Sequence, residues 1–358
     1  MFQLDNIELK NFRCYKNAYY SFLKDKKIIF VGKNASGKTS VIEAIYYLAF
    51  GKSFKTTKDE ELINNSNENN TLYLKAKFSD NEIIEIGYNG ENKVFKKSGV
   101  KVKSLSKMVG YFLIALFCPD DLLLIKGEPS DRRKFIDSNL CQIDKEYLIA
   151  LQNMKKTLKE RNEYLKIVDA DEKKLNINYL DTITYKFIEA SKIIEEKRIK
   201  FIKEIGEIAK EIALKISGNN DLLSVEFIPN VNVDNFWITY NEKKMLDLYA
   251  KTTTWGPQRD DFLVKINQKT AHSSASQGQV RTSSLALKLA VVECFKKYSK
   301  NIIIVLDDVF SELDENRQNE ILKYLNSDNQ VFITTTNINL LTKNALENSE
   351  IIEIVRGD

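Results

Sequence analysis

The strongest chemical signal in the chain is the run Gly32-Lys33-Asn34-Ala35-Ser36-Gly37-Lys38-Thr39-Ser40. It fits the pattern GxxxxGK[ST], directly after the apolar segment Lys27–Val31 and directly before a helical stretch, Lys38–Phe50, that stops at Gly51. The spacing has a physical cause. Gly32 and Gly37 let the backbone wrap a phosphate with its N–H groups turned inward. The N-terminus of the following helix adds partial positive charge. Lys38 neutralises β- and γ-phosphate oxygens, and the Thr39 hydroxyl ligates Mg²⁺.

A second signal is Ile302-Ile303-Ile304-Val305-Leu306-Asp307-Asp308. An apolar strand ending in carboxylates places them at the carboxyl edge of a sheet, where α/β folds hold ligands. Alone, such a pair reads as a solvated strand end. Beside a phosphate loop, Asp307 is expected to hold Mg²⁺ through water and Asp308 to polarise the attacking water. The third signal is Ser276-Gln277-Gly278-Gln279, ahead of the helical stretch Val280–Tyr298. Serine and glycine there make another phosphate-receptive helix end, or a plain N-cap. One ATP does not need two such ends from a single chain. The economical reading gives this one to the γ-phosphate on a second copy, so that ATP joins a head-to-head dimer.

These residues need an α/β frame. The periodicity predicts short strands over residues 1–35, hairpins at 72–88 and 93–103, and one mixed sheet containing the strand before the phosphate loop. Between Ser130 and Ser217 there is no proline and a single glycine, Gly206. Helices are expected there at Asp131–Cys141 (N-capped by Ser130), Lys145–Lys166 and Asn178–Ser217. They read either as a helical hairpin packed on itself or as a short coiled-coil arm. From Leu222 the α/β pattern resumes, with strands at 261–267, 302–306, 330–335 and 351–355. The expected fold is thus an α/β P-loop head in two halves, 1–125 and 249–358, interrupted by a helical lobe at 126–248.

Composition sets outer limits. The chain has 358 residues, 43% of them hydrophobic, enough for a sizeable core. Its longest apolar run, Tyr111–Cys118, is far short of the ~20 residues of a membrane-spanning helix. Four scattered cysteines without a CxxC argue against a disulfide scaffold or zinc site and for the reducing cytoplasm. With His272 the only histidine, hydrolase triads built on histidine are improbable. The net charge of +4 decides little and leaves room for a local nucleic-acid patch.

Ser276–Gln279 resembles the signature loop of ABC-type ATPases, and Ser311-Glu312-Leu313-Asp314 resembles their D-loop. More narrowly, the chain resembles the RecF family of bacterial DNA replication and repair proteins. The match runs through Leu9–Arg13, Gly51–Thr56, Phe117–Leu122, Lys126–Asp137, Lys159–Asn162, Gly256–Asp261 and Thr334–Thr336. The family usually has glycine at Ala35 and histidine at Gln258, and its Thr334–Thr336 stands where transporter ATPases place a switch histidine. The resemblance implies an ABC-type P-loop ATPase head of the RecF/SMC kind. It implies slow, DNA-stimulated hydrolysis, an ATP-dependent homodimer that clamps DNA, and Arg13 on the nucleotide. Double-stranded and gapped DNA, RecR and RecO are the implied partners. A structural protein of the SMC or Rad50 kind would need hundreds of heptad residues or a CxxC hook in the insert. A transport ATPase would need a membrane partner, for which no coupling surface is evident.

For DNA contact, Lys93, Lys96, Lys97, Lys101, Lys103 and Lys107 fall within fifteen residues that contain no acid. They read as a basic prong toward phosphates or as edge-strand lysines that block aggregation. Lys52, Lys55 and Lys58 form a second cluster, and Arg132 with Arg133 a third, unless one of that pair is paired with Asp137 across a helical turn. No aromatic stacking platform stands out, so backbone contact without sequence preference is expected.

Overall fold

A computed structural model describes residues 2–66, 70–170, 175–325 and 329–355. In chain order, the first elements are β1 (Leu4–Phe12), β2 (Tyr15–Ser21), β3 (Lys27–Val31), α1 (Lys38–Phe50), β4 (Leu72–Phe78), β5 (Ile83–Tyr88), β6 (Lys93–Lys97), β7 (Val100–Val102) and β8 (Leu113–Phe117). Next come α2 (Pro129–Ile143), α3 (Lys145–Ala170), α4 (Ile177–Ile216), β9 (Leu223–Ile228), α5 (Phe236–Ala250), β10 (Asp261–Ile266), β11 (Lys269–Thr270) and α6 (Gln277–Phe295). The last are β12 (Ile302–Asp307), α7 (Glu315–Tyr324), β13 (Gln330–Thr335) and β14 (Ser349–Glu353). These elements form two compact units, Met1–Asp121 with Lys288–Asp358, and Leu122–Leu287.

The first unit holds two sheets rather than the single mixed sheet expected. β2-β1-β4-β5-β6-β7 is antiparallel, and β14-β3-β13-β12-β8 is parallel. Side-chain pattern explains the separation. β4 and β5 alternate buried and half-buried residues, as a sheet covered on one face should. In β3, by contrast, Ile28, Ile29 and Phe30 are all fully buried, and a run of that kind needs cover on both faces. β8 and β12 are buried at every position for the same reason. Five residues of the apolar run at 111–118, Leu113–Phe117, therefore form a fully buried sheet strand.

The loose phase of β1 also has a cause. A register shift between Leu4 and Asn6, and a left-handed Asn11 (φ 52°), bring Leu4, Ile7, Leu9 and Phe12 onto the core. α1 touches β1, β4 and β5 of one sheet and β8, β12 and β13 of the other. Apolar residues occupy nearly its whole circumference, and eleven of its thirteen residues are buried. It ends on left-handed Gly51, φ 60°. The turn between β6 and β7 uses left-handed Ser98 and Gly99, which suits a two-residue hairpin.

In the second unit α3 packs along α4, and α4 packs on β9 of the three-stranded antiparallel sheet β11-β10-β9. Gly206 lets α4 approach that sheet: a Cβ there would sit 3.3 Å from Cβ of Val225. α4 is 40 residues long and is capped by the Asn176 side chain, which accepts the Tyr179 amide. α2 is capped by Glu128 and Asp131 in a reciprocal box, with Pro129 opening the helix, so Ser130 lies inside the helix instead of capping it. α5 was not anticipated. Only Phe236, Tyr240 and Asp247 are buried along it, which leaves little apolar period to read. The unit extends past residue 248 because β10 pairs with β9, from Asp261 opposite Ile228 to Ile266 opposite Leu223. No helix among the described residues is long and apolar enough to cross a membrane.

Candidate active site

The loop between β3 and α1 is built to hold an anion. Gly37 has φ 119°, and a Cβ there would come within 2.5 Å of the Tyr15 hydroxyl. At Gly32 a Cβ would lie 2.4 Å from the Ile354 carbonyl oxygen. Both glycines are therefore obligatory. Ala35 takes φ 61°, a left-handed value that glycine adopts without strain. The first turn of α1 has no acid and no side-chain cap, so its amides are not occupied by a competing carboxylate. Lys38 Nζ donates to the carbonyls of Gly32 (2.6 Å) and Lys33 (2.9 Å), which centres the ammonium over the loop. Burial draws its pKa below the ordinary lysine value, while Asp308 and Asp307 oppose that shift.

The carboxylates arrive from β12. Asp307 Oδ1 accepts the hydroxyls of Thr39 at 2.9 Å and Thr334 at 2.8 Å. Asp308 adopts φ 55°, and its amide donates to Thr334 Oγ1 at 2.9 Å. Its Oδ1 is buried with no hydrogen-bond partner among the described residues. A cavity of about 520 Å³ opens here, lined by Asn34–Ser40 together with Arg13, Lys55, Asp308 and Thr334 among others.

The donor set fits Mg²⁺. A hydroxyl and a carboxylate, both hard oxygens, meet beside a phosphate cradle, and an orphaned carboxylate oxygen stands next to them. Mg²⁺ bound there supplies charge neutralisation at the phosphate oxygens.

Other expected residues fall differently. Arg13 lines the cavity, but its guanidinium makes a two-pronged bond to buried Glu43, 2.7 Å on each arm, and donates to the Glu61 carbonyl. Glu43 also accepts the Ser53 hydroxyl, tying the Gly51–Thr56 segment to the same point. Ser276 and Gln279 form a reciprocal capping box at the start of α6: the Ser276 amide donates to Gln279 Oε1, and the Gln279 amide to Ser276 Oγ. Ser276 and Gln277 are exposed, and Gly278 and Gln279 half-buried. Ser311 donates to the Asp308 carbonyl, and Asp314 caps α7 by accepting the Arg317 amide.

The arginine pair is expected at DNA or, for one member, on Asp137; Arg132 is instead committed to Asp261. Arg132 is buried, forks onto Asp261 at 2.6 and 2.8 Å and donates to the Gly127 carbonyl. Arg133 is half-buried and donates to the Asp260 carbonyl. A second buried network adjoins them. Arg198 binds Asp137 and Asp260, each at 2.8 Å, and the Pro257 carbonyl at 2.7 Å. Arg161 binds Asp247, and Asn162 accepts the amide and hydroxyl of Thr253. Residues of the segments 126–137, 159–162 and 256–261 thus contribute to the polar core of one unit. Arg198 and Asp247 were not singled out from sequence, since nothing in their spacing marks them.

The lysine hairpin is also divided. Lys96 and Lys101 stand directly opposite each other on β6 and β7, both exposed. Lys97 instead lies 4.3 Å over the Tyr111 ring and near Glu82. Lys103 is exposed just past β7, and Lys52 and Lys55 are exposed after α1.

The chain is similar to known proteins over nearly its whole length. A family model described as an AAA ATPase domain matches residues 2–355. The DNA replication and repair protein RecF of Streptococcus thermophilus is 37% identical over 350 residues, covering 95% of this chain and 93% of that protein. RecF of Acetivibrio thermocellus is 36% identical over 370 residues, covering 99% and 98%. Among solved structures, the recombination mediator protein RecF with ATP superposes with TM-score 0.90 at 31% identity, over 100% of this chain and 96% of that one. An Smc head domain from Pyrococcus furiosus shares the fold at TM-score 0.56 and 17% identity, over 100% and 94%.

Proposed function

The chain belongs to the RecF family of DNA replication and repair ATPases, with ATP and Mg²⁺ as its cofactors, and on that premise we propose how the ATPase is used. Two copies joined head to head by ATP clamp double-stranded or gapped DNA, and slow, DNA-stimulated hydrolysis lets it go. One observation carries this reading: a single chain has two phosphate-receptive helix ends of unequal equipment. α1 starts within a cradle that has its own lysine, hydroxyl and carboxylates. α6 follows exposed Ser276, whose hydroxyl and amide are engaged with Gln279, and has neither lysine nor carboxylate in its first turn. Such an end is useful as the completing half of another copy's site. In the dimer Ser276–Gln279 meet the γ-phosphate held by the second copy, with Ser311 and Asp314 along the seam.

DNA is held through its backbone by Lys52, Lys55, Lys96, Lys101 and Lys103. Like charges directly opposite on neighbouring strands repel, and a phosphate between Lys96 and Lys101 relieves that. RecR and RecO are the proposed protein partners, with recombinase loading on gapped DNA as the outcome, in the cytoplasm. The test is fluorescence anisotropy of a labelled duplex alongside light scattering. Binding and a doubled mass that both require MgATP support the reading. Tight DNA binding by a monomer without nucleotide contradicts it.

A further inference from the structure

β13 ends in Thr334 and Thr335, with Thr336 just beyond it, and the structure gives the first two separate work. Thr335 Oγ1 donates to the Asn337 carbonyl at 2.9 Å and takes part in the turn that follows. Thr334 points the other way, as successive strand residues do. Its single hydroxyl uses both of its capacities on the carboxylate pair: it donates to Asp307 Oδ1 at 2.8 Å and accepts the Asp308 amide at 2.9 Å.

From this geometry we infer that Thr334 is a positioning residue that sets the two catalytic carboxylates with one hydroxyl. Its donated hydrogen fixes the rotation of Asp307, leaving Oδ2 for the water shell of the metal. Its accepted hydrogen helps hold the left-handed backbone of Asp308 (φ 55°), a conformation uncommon for a residue with a Cβ. Asp308 lines the cavity, and its Oδ1 is buried there without a hydrogen-bond partner among the described residues. Three features suit Thr334 to the task. It is 1% exposed, so water cannot take over its bonds. A β-branched side chain has a stiff χ1, so the hydroxyl direction is fixed. It lies on β13, between β3 and β12, the strands that carry the phosphate loop and the carboxylates.

The inference rests on Asp307 and Asp308 being the metal and water carboxylates, so the experiment includes Asp308→Asn as its reference. Thr334→Val keeps shape and volume but loses both bonds. Its turnover is expected to fall about tenfold to a hundredfold, the worth of a hydrogen bond to a charged group, with KM for ATP little changed. A readout independent of turnover is the affinity for a fluorescent ATP analogue, measured with Mg²⁺ and with EDTA. The gain in affinity given by Mg²⁺ is expected to shrink several-fold in Thr334→Val while the EDTA value holds. Thr334→Ser restores both. Wild-type turnover and Mg²⁺ gain in Thr334→Val overturn the inference. Equal impairment of the Val and Ser variants, with lowered melting temperatures, also overturns it and leaves Thr334 a packing residue. Wild-type turnover in Asp308→Asn removes the carboxylate assignment itself, and the inference with it.

Discussion

Thr39 and Asp307 are 268 residues apart in the chain, yet the hydroxyl of the first donates to Oδ1 of the second at 2.9 Å. The strand order β3-β13-β12 brings them together, since α1 follows one outer strand of that trio and Asp307 ends the other. The insert between the two halves therefore leaves the metal-binding corner intact. That corner supports predictions that separate binding from chemistry.

Lys38→Met removes the ammonium held over the Gly32 and Lys33 carbonyls. Equilibrium titration with a fluorescent ATP analogue should show affinity reduced by at least about tenfold, as for loss of a charge-assisted bond to phosphate. Wild-type affinity in this variant would remove the phosphate loop from the site.

Asp308→Asn leaves the size of the side chain unchanged and removes its basicity. Steady-state turnover should drop by roughly the 10²–10⁴-fold typical of general-base loss, with ATP still bound. Undiminished hydrolysis would point to a different base.

Glu195 on α4 gives a pH dependence. It is fully buried, and burial, reinforced by the Asp260 carboxylate and opposed by Arg198, raises its pKa from 4.5 to about 8. An acid with a raised folded pKa binds its proton more tightly in the folded state. Its contribution to stability is therefore greatest below pH ~4.5 and declines as pH rises toward 8. Denaturant melts of Glu195→Gln should lose that part of the slope and show higher stability than wild type at pH 8. Parallel slopes for the two proteins would rule the assignment out.

Replacing Lys96 and Lys101 with alanine should flatten the dependence of log K on log[salt] for duplex DNA by up to about two charges. An unchanged slope would return the pair to guarding the sheet edge. Arg132→Ala, by contrast, should lower the melting temperature and leave the salt slope alone, because its guanidinium is spent on Asp261.

Much of this was legible from sequence because the signals were local. The bounds of α1, β3 and β4 follow from apolar runs closed by Gly51, Gly32 and Ser79, and the phosphate loop declares itself by spacing. The allocation of strands to two sheets was not local. It depends on whether a strand is covered on one face or both, which β3 reveals only once its neighbours are known. Arg132 misled for a related reason: a basic pair on a helix looks the same whether its acids lie in solvent or 129 residues further on, at Asp261. Thr334 was visible only as one of three threonines. Nothing in the string says which of them faces the carboxylates.

The central claim is that the start of α6 completes a site on a second copy. Ser276→Arg places a bulky side chain on that exposed helix end while the chain's own Gly32–Thr39 loop stays intact. Multi-angle light scattering of this variant with MgATP tests the claim most directly. The account predicts a monomer that still binds ATP and shows no DNA-stimulated hydrolysis. A Ser276→Arg protein that dimerises with ATP as wild type does would contradict it and leave Ser276–Gln279 as a helix cap.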